Sequence, residues 1–253
     1  MTSIADNIGA VTRRIQKATL VAGRPRGSVR LLAASKTRGP EALREAIAAG
    51  QFAFGENYLQ EALDKIAALR DQPDLEWHFI GPIQSNKTRA IADHFDWVHS
   101  VDRLKIARRL SEQRGPDATP LNVCVQVNIS DQASKSGVSL ADLPALAKAI
   151  GKLANIKLRG LMAIPDPALP EDQLRLEFRQ LATALADLRH GVDPSSPLDT
   201  LSMGMSDDLE LAIAEGSTMV RVGTALFGQR TTRPASQDND PAGMSCTPAG
   251  HRD

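Results

Sequence analysis

The chain has 253 residues, 30 basic and 30 acidic side chains, and no formal net charge, so no global field favours nucleic acid or an anionic membrane. Aromatic residues at 4% offer little for base stacking, and two cysteines make no disulfide framework, while 42% apolar content is enough for a sizeable core. No segment approaches membrane-spanning length and the N-terminus has no signal-like apolar core, so a cytoplasmic protein is expected.

Ile4, Ile8, Val11 and Ile15 recur at helical spacing, with Arg13, Arg14 and Lys17 off that face, and Gly23-Arg24-Pro25-Arg26-Gly27 ends the helix. A regular alternation follows. Strand-like runs fall at about 29–35, 52–55, 76–80, 96–99, 121–128, 156–163, 199–203 and 219–222. Helical patterns lie between them at about 39–49, 57–70, 85–93, 102–113, 139–151, 171–190 and 206–215, with a short helical start at Thr224-Ala225-Leu226-Phe227.

Eight repeated βα units predict an α/β fold that closes into a single (β/α)8 TIM barrel with an extra N-terminal helix. A doubly wound open sheet is the rival, but no glycine-rich fingerprint follows the first run. The barrel domain is expected over 1–230, and the Thr/Pro/Ser/Gln/Asp/Asn composition of 231–253 reads as a disordered tail.

In such a barrel the C-terminal strand ends share one mouth. Lys36 closes the first run and is a plausible amine nucleophile there, since an apolar setting favours the unprotonated form that attacks carbonyls. A snorkelling surface lysine is the alternative. At the other end of the chain, Gly223-Thr224 opens a helix and offers free amides to an anion. Ser202 and Ser206 add hydroxyls in the preceding loop, where Ser206-Asp207-Asp208 also reads as a helix N-cap. The set would hold the two ends of a phosphorylated aldehyde. Arg221 is costly in an apolar strand without an acceptor. It suits either a salt bridge to Glu56 or Asp207, or donation to a pyridine nitrogen, which would weaken the ring as an electron sink.

Other signals read as structure. Glu61-Ala62-Leu63-Asp64-Lys65 is an ordinary charged helix face, Tyr58 a packing residue, Trp77 and Trp97 core or interface residues, and Cys124 buried packing. Lys87 and Lys135 are solvated loop lysines by their polar flanks, and the histidines show no metal-ligand spacing.

Longer motifs run through the chain: Ala34-Ser35-Lys36-Thr37, Phe54-Gly55-Glu56-Asn57-Tyr58, Trp77-His78-Phe79-Ile80-Gly81-Pro82, Gly160-Leu161-Met162-Ala163-Ile164-Pro165, Leu201-Ser202-Met203-Gly204-Met205-Ser206 and Val222-Gly223-Thr224. In these the chain resembles the pyridoxal phosphate homeostasis protein family, from the first helix to about Gly228. The resemblance implies a barrel like the N-terminal domain of alanine racemase, with pyridoxal 5'-phosphate held as a Schiff base on Lys36. It also implies phosphate contacts from Ser202, Ser206, Gly223 and Thr224, a ring-nitrogen contact from Arg221 and a ring-edge contact from Asn57. A monomeric carrier and regulator of the vitamin B6 pool, with PLP-dependent apoenzymes as candidate recipients, is the expected role. A PLP-dependent amino-acid racemase is the alternative. It is disfavoured because Tyr58 is the only tyrosine and the residues after the barrel are too few for a second domain.

Overall fold

A computed structural model describes residues 2–130, 132, 135–192 and 196–229. Eight parallel strands, β1 (Arg30–Ala34), β2 (Ala53–Glu56), β3 (Glu76–Phe79), β4 (Trp97–Val101), β5 (Leu121–Gln126), β6 (Ile156–Met162), β7 (Thr200–Ser202) and β8 (Met219–Val222), form a closed barrel in chain order. β8 returns to β1 with Leu31 beside Val220 and Ala33 beside Val222. Helices α1 (Ile4–Val21), α2 (Pro40–Ala48), α3 (Leu59–Ala68), α4 (Thr88–His94), α5 (Leu104–Gln113), α6 (Leu143–Ile150), α7 (Glu171–Leu188), α8 (Leu209–Ala214) and α9 (Thr224–Phe227) surround it. The tail expected over 231–253, with Cys246 and His251, lies outside the described residues.

Period-two alternation on each strand builds two cores. Ala33, Phe54, Trp77, Phe79, Val98, Val123, Leu201, Val220 and Val222 face the helices and belong to the large outer core. Leu32, Ile80 and Met219 form one small separate cluster, and Trp97, Cys124 and Met162 another, inside the barrel. Both tryptophans and Cys124 are therefore packed, as expected. α1 is started by a capping box in which Ser3 Oγ accepts from Asp6 N and Asp6 accepts from Ser3 N. It buries Ile8, Val11 and Ile15 and lies against α2, α8 and α9, covering the seam where β8 meets β1.

Three local readings need correction. Lys65 is 3% exposed and not on a solvated face. It lies one turn from buried Ala62, and its ammonium finds enough acceptors to be buried. Ser206 is no helix cap, because α8 begins three residues later at Leu209. The Asp208 carboxylate instead accepts from Met205 N at 2.5 Å and shapes the turn before the helix. Tyr58 is 58% exposed and makes little use of its ring in packing.

Candidate functional site

β1 hands its ladder on by one residue, Ser35 N to Gly55 O at 3.0 Å, before the chain turns at Lys36. The turn closes with Arg38 N on Ser35 O at 3.1 Å, and Thr37 sits in the left-handed region at φ 65°. A non-glycine residue holds that conformation because its surroundings are fixed. Glu61 accepts from Thr37 N at 2.5 Å and from Lys65 Nζ at 2.6 Å. Lys65 also donates to Ser35 O at 2.8 Å and to Glu56 Oε1 at 2.7 Å, and Ser35 Oγ donates to the same Glu56 oxygen at 2.6 Å. Burial pushes the Glu56 carboxyl above its usual range despite the Lys65 ammonium, and its Oε2 has no hydrogen-bond partner. Lys36 thus stands on a turn braced by a buried ionic cluster that sequence reasoning did not find.

Asn57 follows Glu56 out of β2, and Gly81 is what lets it sit there. A Cβ on Gly81 would come within 2.2 Å of the Asn57 carbonyl oxygen. Asn57 Oδ1 is buried and unpaired, the kind of orphan that a bound polar molecule satisfies.

Arg221 reaches none of the carboxylates weighed for it. Glu56 is taken by Lys65. The guanidinium instead donates from Nη1 to Ser202 O at 2.6 Å and Ser202 Oγ at 2.8 Å, and from Nη2 to Ala163 O at 2.9 Å. Burial lowers its pKa to about 10, so it stays charged at neutral pH. Of its five N–H groups, three are engaged in these bonds. Arg221 also lines a cavity at the C-terminal mouth.

That cavity, of about 440 Å³, brings together Lys36, Asn57, Ser206, Arg221, Gly223 and Thr224 at the C-terminal mouth. Its size suits a small organic ligand. In α9 the amides of Leu226 and Phe227 bond Gly223 O at 3.0 and 2.9 Å, which leaves those of Thr224 and Ala225 without a partner in the helix itself. Ser202 is the one predicted residue outside the cavity lining. Its hydroxyl is fully buried beneath the site, between Arg221 and His99 Nδ1, each at 2.8 Å. Arg14 was missed by sequence reasoning. It lines the same cavity, donating from Nη2 to Ser206 O at 2.9 Å and gripping Glu210 through Nε at 2.7 Å. Its only sequence signal is a position just off the apolar face of α1.

Of the remaining lysines, Lys87 is exposed in a 3-10 turn at Ser85–Lys87, and Lys135 borders a smaller neighbouring cavity, with Nζ 3.4 Å from Ser130 Oγ. A larger groove of about 730 Å³ between α6 and α7 is lined chiefly by aliphatic residues such as Leu143, Leu176 and Leu188. It holds no arrangement of amine and anion cradle. Among the described residues no group of three His, Cys, Asp or Glu side chains is placed to hold a metal, and no helix is long and apolar enough to cross a membrane.

The model of the alanine racemase N-terminal domain matches residues 7–231. The chain is 61% identical over 230 residues to the pyridoxal phosphate homeostasis protein of Pseudomonas aeruginosa, covering 91% of this chain and 97% of that protein. It is 52% identical over 235 residues to the Escherichia coli protein of the same name, covering 91% and 98%. PipY of Synechococcus elongatus, solved with PLP bound, superposes with a TM-score of 0.78 at 41% identity, covering 89% of this chain and all of that one. Alanine racemase from Corynebacterium glutamicum, at 23% identity and a TM-score of 0.63, shares the fold, with this chain covering 62% of its length. With its closed barrel and nearly full-length matches, the chain belongs to the pyridoxal phosphate homeostasis protein family.

Proposed function

We propose that this protein holds pyridoxal 5'-phosphate reversibly on Lys36 and buffers or delivers it within the cell. The observation that carries the reading is the single cavity shared by Lys36, the Gly223-Thr224 amides and Arg221. Those residues suit the two ends and the ring of one phosphorylated aldehyde. The orphaned Asn57 Oδ1 in the same wall favours a polar occupant. When bound, the cofactor supplies an aldehyde and an electron-accepting ring.

The protein's part is capture and restraint. The unprotonated Lys36 amine adds to the aldehyde carbon, and loss of one water leaves a C=N bond that hydrolysis reverses. Thr224, Gly223 and Ser206 receive the phosphate, and Arg14 holds the Ser206 turn in place. Asn57 contacts the ring edge. Arg221 donates to the ring nitrogen, and a permanently charged guanidinium there keeps that nitrogen unprotonated, which suits storage better than carbanion chemistry. Ser202, outside the cavity lining, serves the ring-nitrogen contact indirectly, by holding Arg221. Tyr58, exposed and outside the cavity lining, offers no second base opposite Lys36.

The test is transfer. Protein loaded with PLP and freed of excess cofactor is mixed with a PLP-dependent apoenzyme. Recovery of that enzyme's activity, matched by loss of the carrier's visible band, is expected. A band that persists while the apoenzyme stays inactive would contradict delivery.

A further inference from the structure

Behind Arg221 the barrel interior contains a column of polar side chains, Ser202, His99, His78 and Glu76, that do not line the cavity. It starts at Arg221 Nη1, which donates to Ser202 Oγ at 2.8 Å. Ser202 Oγ meets His99 Nδ1 at 2.8 Å, His99 Nε2 meets His78 Nδ1 at 2.9 Å, and His78 Nε2 meets Glu76 Oε1 at 2.6 Å. Glu76 is the first residue of β3, at the opposite mouth of the barrel, where it also takes Arg30 Nη2 at 2.7 Å. Ser202, His99 and His78 are completely buried.

The two ends fix where every proton lies. A guanidinium can only donate and a carboxylate can only accept. Between them, Ser202 and each neutral imidazole must accept on one side and donate on the other. Ser202 O–H therefore donates to His99 Nδ1, His99 Nε2–H to His78 Nδ1, and His78 Nε2–H to Glu76. The reverse order would require Arg221 to accept and Glu76 to donate. Charges around the column agree. Burial would raise the Glu76 carboxyl, but its bonds from His78 and the nearby Arg30 hold it at about 2. Burial keeps His78 below the ordinary imidazole value even with Glu76 and Asp96 close by. It keeps His99 well below that value, helped by the positive charge of Arg221 and Arg30. His78 also stacks on Trp97, with ring centroids 5.4 Å apart and planes within 11°, so its ring cannot turn freely.

We infer that His99 and His78 are positioning residues, which with Ser202 form a proton-ordered chain anchored on Glu76 and fix the Arg221 guanidinium facing the cofactor ring. This rests on the reading of Arg221 given above. It makes a residue at the far mouth of the barrel a determinant of the cofactor's electronic state, although neither it nor the histidines line the cavity.

Two measurements test it. In unloaded protein carrying 15N-labelled histidine, His78 and His99 should both remain neutral, with the proton on Nε2, from pH 8 to pH 6. Titration of either ring in that range, or a proton on Nδ1, overturns the ordered chain. In loaded protein, Glu76→Gln replaces the acceptor-only end and should shift the visible band of bound PLP and speed its release by roughly threefold to tenfold, the range expected of one weakened hydrogen bond. His99→Leu should do the same or more, and His99→Gln, which keeps a donor and an acceptor, should recover part of the wild-type spectrum. Asp199→Asn at the same mouth should change neither. Spectra of Glu76→Gln and His99→Leu that match the wild type overturn the coupling to the cofactor. A wild-type protein that never binds PLP overturns the parent reading and the coupling with it, while the labelled histidines still decide the order of the chain.

Discussion

The two mouths of this barrel are both polar, yet they dispose of their polar groups in opposite ways. At the N-terminal mouth Arg30 pairs with Glu76 and Arg159 with Asp199, each at 2.7 Å, and Arg159 also bonds Asn122 and lies 4.6 Å over the Trp97 ring. Those charges satisfy one another. At the C-terminal mouth Arg221 keeps donors in reserve, Asn57 Oδ1 is buried without a partner, and the start of α9 presents amides toward the same cavity as Lys36. A mouth whose polar groups close on themselves contributes structure. One whose groups converge with donors and acceptors unsatisfied is suited to binding. The column from Glu76 to Arg221 joins the two.

Breaking the supports of the open mouth should cost most. Lys65→Ala leaves Glu56 buried with no cation, so unfolding free energy should fall by about 3–5 kcal/mol, measured by urea denaturation. A loss below about 1 kcal/mol would mean that the cluster beneath the Lys36 turn is not what holds it. Gly81→Ala should come next. Its Cβ meets backbone of Asn57 rather than a flexible side chain, so a cost of about 1–3 kcal/mol and weaker PLP binding are expected from thermal unfolding and titration. Unchanged affinity would remove Asn57 from the site.

The buried histidines set a smaller effect that depends on pH. Folded His78 and His99 bind protons less readily than in the unfolded chain, so between the unfolded value near 6.5 and their lower folded values the unfolded state holds more protons. Stability should therefore be flat above about pH 7 and fall below it, by at most about 1.4 kcal/mol per pH unit for each histidine. A His99→Leu protein should lose one such contribution, which denaturation at pH 5.5 and pH 7.5 would show. A slope identical to the wild type would mean that His99 takes up its proton in the fold as readily as in the unfolded chain. Smallest of all, Asp199→Asn breaks a half-exposed pair at the closed mouth and should cost less than about 1 kcal/mol.

The barrel was readable because its signal is repetition. Short apolar runs alternate with amphipathic helices, and no single run has to be read correctly for eight units to imply closure. Lys36, Arg221 and Gly223-Thr224 were visible for a related reason, since each is a polar or flexible group at the end of an apolar strand. The supports were not. Lys65 sits among charges in the sequence and its burial depends on Glu56 and Ser35 from two strands. The histidines at 78 and 99 are separated by a helix and meet only through the inward pleat of β3 and β4. Arg14 joins the site from the opposite end of the chain. Contacts of that kind are properties of closure, not of local pattern.

Covalent trapping tests the central claim most directly. PLP is added to the purified protein, the mixture is reduced with borohydride, and the modified peptide is mapped. The account predicts one modified residue, Lys36, and no fixed cofactor in Lys36→Ala. Stoichiometric label on Lys87 or Lys135, or undiminished label in Lys36→Ala, would contradict it.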